Sequence, residues 1–465
     1  MPTTTAATPL HSSRLRRIVA AYTVNRLGTW FGFIALSVAV FDHTHSAIAV
    51  AGLLLAGQVL PAFLVPALVA RVEASARRGE LSALYFFEAA VSGALVALLL
   101  WDFSLPGIIF LVILDGTAAL AASALLRAAA AREARVWARA QAEAGSARQG
   151  ASAEDSPAER DAALESAAVE AERRANAALN IGFAITFTLG PALAGLVVPA
   201  FGVPAALVVD LVSFLICGMM LLDLKPHVED AETSSVRARV RAAWQYINAA
   251  RVLRRLLIVE AVALVFFEFS PPIEVAYAKL SLHAGDAGYG VLLGVWGLGV
   301  AIGSIVFARS IERSLGALLS ASTLAVGVAY LGWAAAPSLW LACAAGLIGG
   351  VGNGVQWAAL ISAVQRLTPP RLQGRLMGAV ESLGAICPAL GFVLGSVITA
   401  VSTPRGALLV AGVGASLTTL GFIGLGLGVG AASEHEEGQA PGEHAAAEAA
   451  AAAAMPASEP LQTTP

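Results

Sequence analysis

Charge is scarce in this chain of 465 residues: Asp, Glu, Lys and Arg make up 13% of it, about half the share usual in soluble domains. With 57% hydrophobic residues, that scarcity excludes an ordinary soluble globule and places the bulk of the chain in lipid. Cysteine is scarce as well. Cys217, Cys343 and Cys387 fall singly in separate apolar stretches without CxxC spacing, which excludes a disulfide framework and a thiolate zinc site. None of the seven histidines lies inside an apolar stretch long enough to cross a bilayer, so a proton relay within the membrane must use carboxylates. His43, His45 and His283 fall in loops, and no metal is expected there. A phosphate loop is missing too, because no Lys-Ser/Thr follows Gly352-Asn353-Gly354. No nucleophile–base pair or ligand cluster shares one depth, so the chain reads as a non-enzyme without a cofactor. The net charge of -3 decides little, since in a membrane protein the placement of charge matters more than its sum.

Apolar runs are abundant. About 20 residues cross the hydrocarbon core, and twelve such windows can be placed: 18–41, 47–70, 81–101, 107–127, 177–199, 204–224, 254–277, 287–308, 317–335, 339–365, 376–401 and 406–430. With the amino terminus inside, 26 of the 29 Lys and Arg residues fall on cytoplasmic segments, Lys279 and Arg405 fall outside, and Arg26 lies within a span. The positive-inside rule is thereby met on every short loop, and both termini are expected in the cytoplasm. The basic start, Arg14, Arg16 and Arg17, runs into the first span with no small-residue cleavage site, as a retained span does.

Three polar additions interrupt the pattern. Residues 1–17 form an amino-terminal tail. Between spans four and five, 128–174 is rich in Ala, Glu and Arg, with a break around 145–157. Ser156-Pro157-Ala158-Glu159 has capping-box spacing, so a new helix is expected there, giving a solvated helical hairpin. The connection 225–253 carries Trp244, Tyr246 and Ile247 among arginines, which predicts an amphipathic helix on the anionic leaflet. The tail 431–465, rich in Ala, Glu and Pro, is expected to be disordered. What remains is an all-α integral membrane protein with six-span bundles over 18–224 and 254–430.

Weak internal echoes join the halves. Gly190-Pro191-Ala192-Leu193-Ala194-Gly195 returns faintly as Cys387-Pro388-Ala389-Leu390-Gly391, each after an Arg-containing lead-in. Other stretches stand in characteristic order: Asn25-Arg26-Leu27-Gly28-Thr29-Trp30, Thr44-His45-Ser46-Ala47 leading to Leu60-Pro61, Ala175-Asn176-Ala177, Asp210-Leu211-Val212-Ser213-Phe214 and Gly374-Arg375-Leu376-Met377-Gly378. Together they resemble the major facilitator superfamily, and within it the bacterial enterobactin-exporter-like and multidrug-exporter-like branch, over about residues 17 to 428 apart from the insertion. The resemblance implies twelve transmembrane helices in two pseudo-symmetric six-helix bundles. It implies alternating access, with a cytoplasmic gate at Arg71, Glu73, Arg77, Arg78 and Arg309. The superfamily's Asp in that gate is replaced by Ala70 and its Gly by Pro66. Gly190, Pro191 and Gly195 are similar to the motif that marks its antiporters.

Ionisable groups at mid-membrane cost several kcal/mol and mark function. Arg26 and Asp115 each lie roughly 12 Å in from opposite ends of spans one and four. Both spans face the central cavity in the superfamily, so these residues are expected as a proton-coupling ion pair, with a purely structural pair as the alternative. Span seven carries Glu260, Glu268 and Glu274 around Pro271-Pro272, which should break the helix. Glu268 is the expected proton or cation site, while Glu260 and Glu274 sit nearer headgroups or water. Glu88, Asp210 and Glu381 rank lower, because spans three and six are peripheral in the superfamily. The expected substrate cavity holds Asn25, Trp30, Phe266, Phe267, Asn353, Gln356 and Trp357, although the glycines of span ten also read as close packing.

The resulting reading is a proton-coupled exporter of small amphipathic molecules such as drugs or siderophores. It would work as a monomer in the inner (plasma) membrane, with no nucleic-acid partner. The alternatives are a proton-coupled importer and a membrane scaffold or regulator that has lost transport.

Overall fold

A computed structural model describes residues 12–65, 68, 80–148, 157–224, 245–310, 313–368 and 370–423. No strand occurs among them. The helices, in order, are α1 Ser13–Thr44, α2 Ala47–Leu54, α3 Glu80–Trp101, α4 Leu105–Arg148, α5 Pro157–Phe201, α6 Val203–Met220, α7 Arg251–Phe267, α8 Pro271–Ala276, α9 Gly285–Arg309, α10 Leu315–Ala335, α11 Leu339–Arg366, α12 Pro370–Val401 and α13 Pro404–Ile423. Eleven stretches among the described residues are long and apolar enough to cross a membrane, so this is a multi-pass membrane protein. The expected span 376–401 lies in α12, whose apolar described part is Ile386–Val401. Arg71, Glu73, Arg77 and Arg78 of the expected gate, Ser156, the connection through Trp244 and the tail from Gly424 lie outside the described residues.

Local chemistry sets the helix ends. Ser12, Ser46 and Ser314 accept hydrogen bonds from the backbone N–H of Leu15, Ala49 and Ala317, each satisfying a donor that the first helical turn leaves open. Gly202 joins α5 to α6 at φ 84, a conformation that a side chain would strain. Past α2 the helix widens into a π turn over Leu55–Val59. Pro61 has no N–H for the carbonyl of Gly57 four residues back, and the widened turn relieves its ring. Gly116 of α4 packs onto that carbonyl, where an added Cβ would stand 2.3 Å from the oxygen.

The chain forms two compact units, 1–229 with 284–294 and 230–283 with 295–465. In the first, α1 packs on α5 and α6, α3 on α4 and α6, and α4 on α5. In the second, α10 packs on α11 and α13, and α7 on α12 and α13. Glycines in or beside the two Pro-Ala-Leu stretches admit a neighbouring helix, though not at matching positions. Gly190 of α5 receives the indole of Trp30 from α1, with an added Cβ only 2.4 Å from the ring. Gly391 and Gly395 of α12 receive the chain at Val265, Glu268 and Phe269 where α7 ends.

The 44 residues of α4 and 45 of α5 each run roughly 65 Å, about twice the hydrocarbon thickness. Their polar halves pair along their length. Arg135 reaches Glu165 at 2.6 Å and Glu172 at 3.0 Å, and Arg139 reaches Glu165 at 2.7 Å. Ala130, Ala134 and Ala138 of α4 and Ala171 and Ala175 of α5 are buried between them, in one hydrophobic core with Leu15, Tyr22 and Tyr85 of the bundle. The hairpin thus extends the first unit's core and is continuous with its helices. Of the expected amphipathic connection, Tyr246 and Ile247 are buried, and the Tyr246 hydroxyl donates to the carbonyl of Leu367 at the end of α11. Burial rather than a lipid surface occupies those two side chains.

Candidate functional site

In the first unit three helices turn a polar stripe toward one another. Asn25, Gly28 and Gly32 of α1, Tyr85, Glu88 and Ser92 of α3, and Asp210, Ser213 and Cys217 of α6 each stand at i, i+3 and i+7, one face of a helix. Gly28 and Gly32 leave the hollow that α6 fills: a Cβ on Gly28 would stand 2.0 Å from Ser213 Oγ, and one on Gly32 2.8 Å from Asp210 Oδ2. Ser92 donates to Asp210 Oδ2 at 3.2 Å, and the Cys217 thiol points at the carbonyl of Ala21 at 3.2 Å. Glu88 is 0% exposed. Asp115 of α4 and Asp210 both lie within electrostatic range of it.

Arg26 is not part of this group. Its guanidinium lies over the Phe183 ring at 5.1 Å, and no ion pair joins it to Asp115 among the described residues. The helical rise fixes depth and says nothing of azimuth: Arg26 turns toward α5 and Asp115 toward α3 and α6. The second arginine at that end of the unit, Arg127, donates to the Tyr22 hydroxyl at 2.7 Å. Trp30 packs edge-on against Phe33 and Phe187. Glu88 and Asp210, ranked low from the sequence, stand on this shared face at the i, i+3, i+7 spacing that recurs in three spans.

In the second unit Glu260 Oε1 lacks a donor among the described residues, and the bonded partners differ. Gln356 of α11 donates from Nε2 to Glu260 of α7 at 2.7 Å, and its Oε1 accepts from Ser322 and Thr323 of α10. Glu260, expected near water or headgroups, is instead 0% exposed, with Gln356 of α11 bonded to it and α12 and α13 packed on its helix. Span seven is interrupted as the prolines demand, between Phe267 and Pro271. The Phe267 carbonyl accepts from the Tyr330 hydroxyl at 2.8 Å. Ser270 donates to Glu274 at 2.7 Å, so Glu274 is likewise buried rather than at a headgroup. Glu268 sits at the break, half-buried and within electrostatic range of Glu274.

Among the expected cavity residues, Asn25 is buried on the polar stripe of α1. Phe266 seats in the notch at Gly414 of α13, and Phe267 and Gln356 are buried within their own unit. Asn353 is half-buried, and Trp357 is 47% exposed. In α11, Gly350 and Gly354 pack closely against α9 at Trp296 and Val300. Gly195 meets the backbone of Gly290, an added Cβ standing 2.2 Å from its Cα. Arg309 is exposed at the end of α9. His43 stacks on Phe103 at 4.0 Å, and among the described residues no three His, Cys, Asp or Glu side chains are placed to hold a metal ion.

The profile of a family described as transmembrane secretion effector matches residues 155–454. No curated protein sequence matches the chain. Solved structures share its fold. The nucleoside transporter NupG is similar over 89% of this chain and 99% of its own, with 10% identity and a TM-score of 0.63. A bacterial homologue of the iron transporter ferroportin, in an inward-facing state, is similar over 89% and 98%, with 16% identity and a TM-score of 0.60. The human organic anion transporter MFSD10 is similar over 88% and 99%, with 17% identity and a TM-score of 0.54.

Proposed function

The chain belongs to the transmembrane secretion effector family of the major facilitator superfamily, and from that premise we propose that it is a secondary active transporter, a proton-coupled exporter of small amphipathic organic molecules such as drugs or siderophores. One observation carries the reading: carboxylates persist inside apolar helices with no basic side chain paired to them among the described residues, Asp115 in α4 and Glu268 at the break between α7 and α8. Such groups are expensive in a membrane interior and mark ion or substrate pathways. The break lets α8 tilt against α7 without severing a regular hydrogen-bond ladder, which suits a helix that must move as Glu268 gains and loses a proton. Export over uptake is favoured by the family's description and by the resemblance of Gly190-Pro191 to the antiporter motif. On this reading the protein is a monomer of the inner (plasma) membrane with cytoplasmic termini, energised by the proton gradient, and its cavity draws on Trp30, Asn353 and Trp357.

Sealed proteoliposomes containing a pH-sensitive dye test this, with a panel of drugs and siderophores added to one side. Compound-dependent proton movement in the wild type, lost in Asp115→Asn or Glu268→Gln, is the expected result. Compound-dependent transport with no accompanying proton movement would overturn the coupling.

A further inference from the structure

The three polar stripes of the first unit meet in a group rich in carboxylates, whose one phenol donor, the buried Tyr85 hydroxyl, has no hydrogen-bond partner among the described residues. Four carboxylate oxygens there, Glu88 Oε1 and Oε2, Asp115 Oδ1 and Asp210 Oδ1, have no hydrogen-bond donor, and neither does the buried Asn25 Oδ1 on the facing stripe of α1. Among the described residues Ser92 supplies the one hydroxyl bonded to these carboxylates.

Charged groups on the surrounding helices do not balance it. From α3 the neighbour is Tyr85, from α6 Cys217 and from α4 Asp115. On α1 the nearest cation, Arg26, lies within electrostatic range of Tyr22, Tyr85 and Arg127 with its Nε unbonded, and no ion pair joins it to these carboxylates among the described residues. Between α1 and α6 a cleft of about 290 Å³ touches Gly28 and Ser213, but its other walls are Val and Leu side chains with Ile216. In the second unit Gln356 places an N–H on Glu260 Oε2 and leaves Glu260 Oε1 without a donor, one acid with one bonded oxygen, whereas the first unit gathers three acids of which only one oxygen, Asp210 Oδ2, accepts from Ser92. Uncompensated carboxylates this deep in an apolar bundle need either a donor or a cation. Among the described residues no three such side chains are placed to hold a metal ion. A proton supplies both the missing donor and the missing charge.

We propose that the face shared by α1, α3 and α6 is a proton-binding site in which Glu88 and Asp210 hold one proton between them, reached through the half-buried Asp115. Uptake converts one carboxylate to a carboxylic acid and changes no other bond; release returns the proton to water. The site lies behind the first span, and α1 forms its wall through Gly28 and Gly32. Loading and unloading therefore act on the seat of α1, the helix that also carries Arg26 and Trp30. The inference rests on the reading of the chain as a proton-coupled transporter.

The probe is the proton alone. The full-length chain, reconstituted in phosphatidylethanolamine–phosphatidylglycerol vesicles in choline chloride, is titrated while the carboxylic-acid C=O stretch is followed by infrared spectroscopy. A component equal to one carboxyl group should titrate in the wild type and vanish in Glu88→Gln and in Asp210→Asn. Ser92→Ala keeps both acids and should retain the component's area while moving its midpoint. A component untouched by Glu88→Gln and Asp210→Asn overturns the site. Should those variants fail to fold, an unmoved midpoint in Ser92→Ala overturns it. A component displaced by sodium chloride overturns the proton in favour of a metal cation. The two readings fail separately: compound-driven proton flux that survives in Glu88→Gln removes this site and leaves the transporter, whereas a titrating component in a chain that moves no protons removes the transporter reading and leaves the site.

Discussion

Gln356 holds the polar interior of the second unit together through both ends of its amide. Replacing it with Leu takes the bonded donor from buried Glu260 and the acceptor from the Thr323 hydroxyl, while Ser322 keeps the Leu319 carbonyl, and should lower stability by about 3 kcal/mol, read as a fall in the melting temperature of the purified protein in detergent. Adding Glu260→Leu should recover much of that loss, because removing both partners of a buried pair costs less than removing one. A double-mutant cycle in which the two losses simply add would show that the pair is not coupled. Arg405 stabilises in another way, donating to the carbonyls of Ala334 at 2.9 Å, Ala336 at 2.6 Å and Ser281 at 3.2 Å, where helix ends leave acceptors open. Which ionisable residues lie inside the membrane was legible in the sequence, because hydropathy and position along a span suffice. Which of them meet was not. A pairing such as Arg26 with Asp115 depends on the rotation of two helices about their axes, and the glycines that fix that rotation for α1, Gly28 and Gly32, give no sign of their partner in α6 until the fold is seen.

Pairs of helices pose a different question, namely how close two backbones come. On α9 and α11, Gly299 with Gly303 and Gly350 with Gly354 repeat the small-xxx-small spacing that lets membrane helices touch. A Cβ on Gly303 would stand 2.2 Å from the carbonyl oxygen of Val351, and one on Gly354 2.3 Å from that of Val300. Gly303→Val should therefore force the helices apart and cost about 1–3 kcal/mol, measured by thermal unfolding in detergent. Gly52→Ala meets nothing within 4 Å and should be neutral or stabilising by up to about 1 kcal/mol through helix propensity. Both halves of that comparison needed the structure, since a glycine's sequence does not say what lies opposite it.

The hairpin of α4 and α5 was easier to anticipate from its composition, and its ion pairs make it sensitive to acid. The hydrogen bond from Arg139, then the charge of Arg135, hold the Glu165 carboxyl below the usual carboxylate range, and Arg173 and Arg174 do the same for Glu170. A carboxyl lowered on folding contributes above its unfolded value, about 4.3, and loses that contribution as the pH falls through the folded one. Spin labels at Ala140→Cys and Ala162→Cys should accordingly report a closed hairpin at neutral pH and a broadened distance below about pH 4. High salt should broaden it in the same direction. An unchanged distance would assign the closure to the buried alanines alone.

For the molecule as a whole, charge placement predicts the topology. A reporter fused after residue 465 should signal from the cytoplasm, and one inserted between Ser402 and Pro404 from the opposite side. The twelve-window pattern was readable because lipid imposes length and apolarity on every span. The long helices have a mechanical consequence. Residues running out of the bundle in α4 and α5 are the same rods whose other halves wall the first unit, so a turn of that unit in the membrane is carried outward without a joint. About 30 Å of each rod projects beyond the hydrocarbon, and a rotation of about 10° sweeps the tip through roughly 5 Å. The hairpin is thus a pointer fixed to one half of the protein: a dye at its end magnifies a motion that is small at the carboxylates, and anything that grips it applies torque to the bundle below.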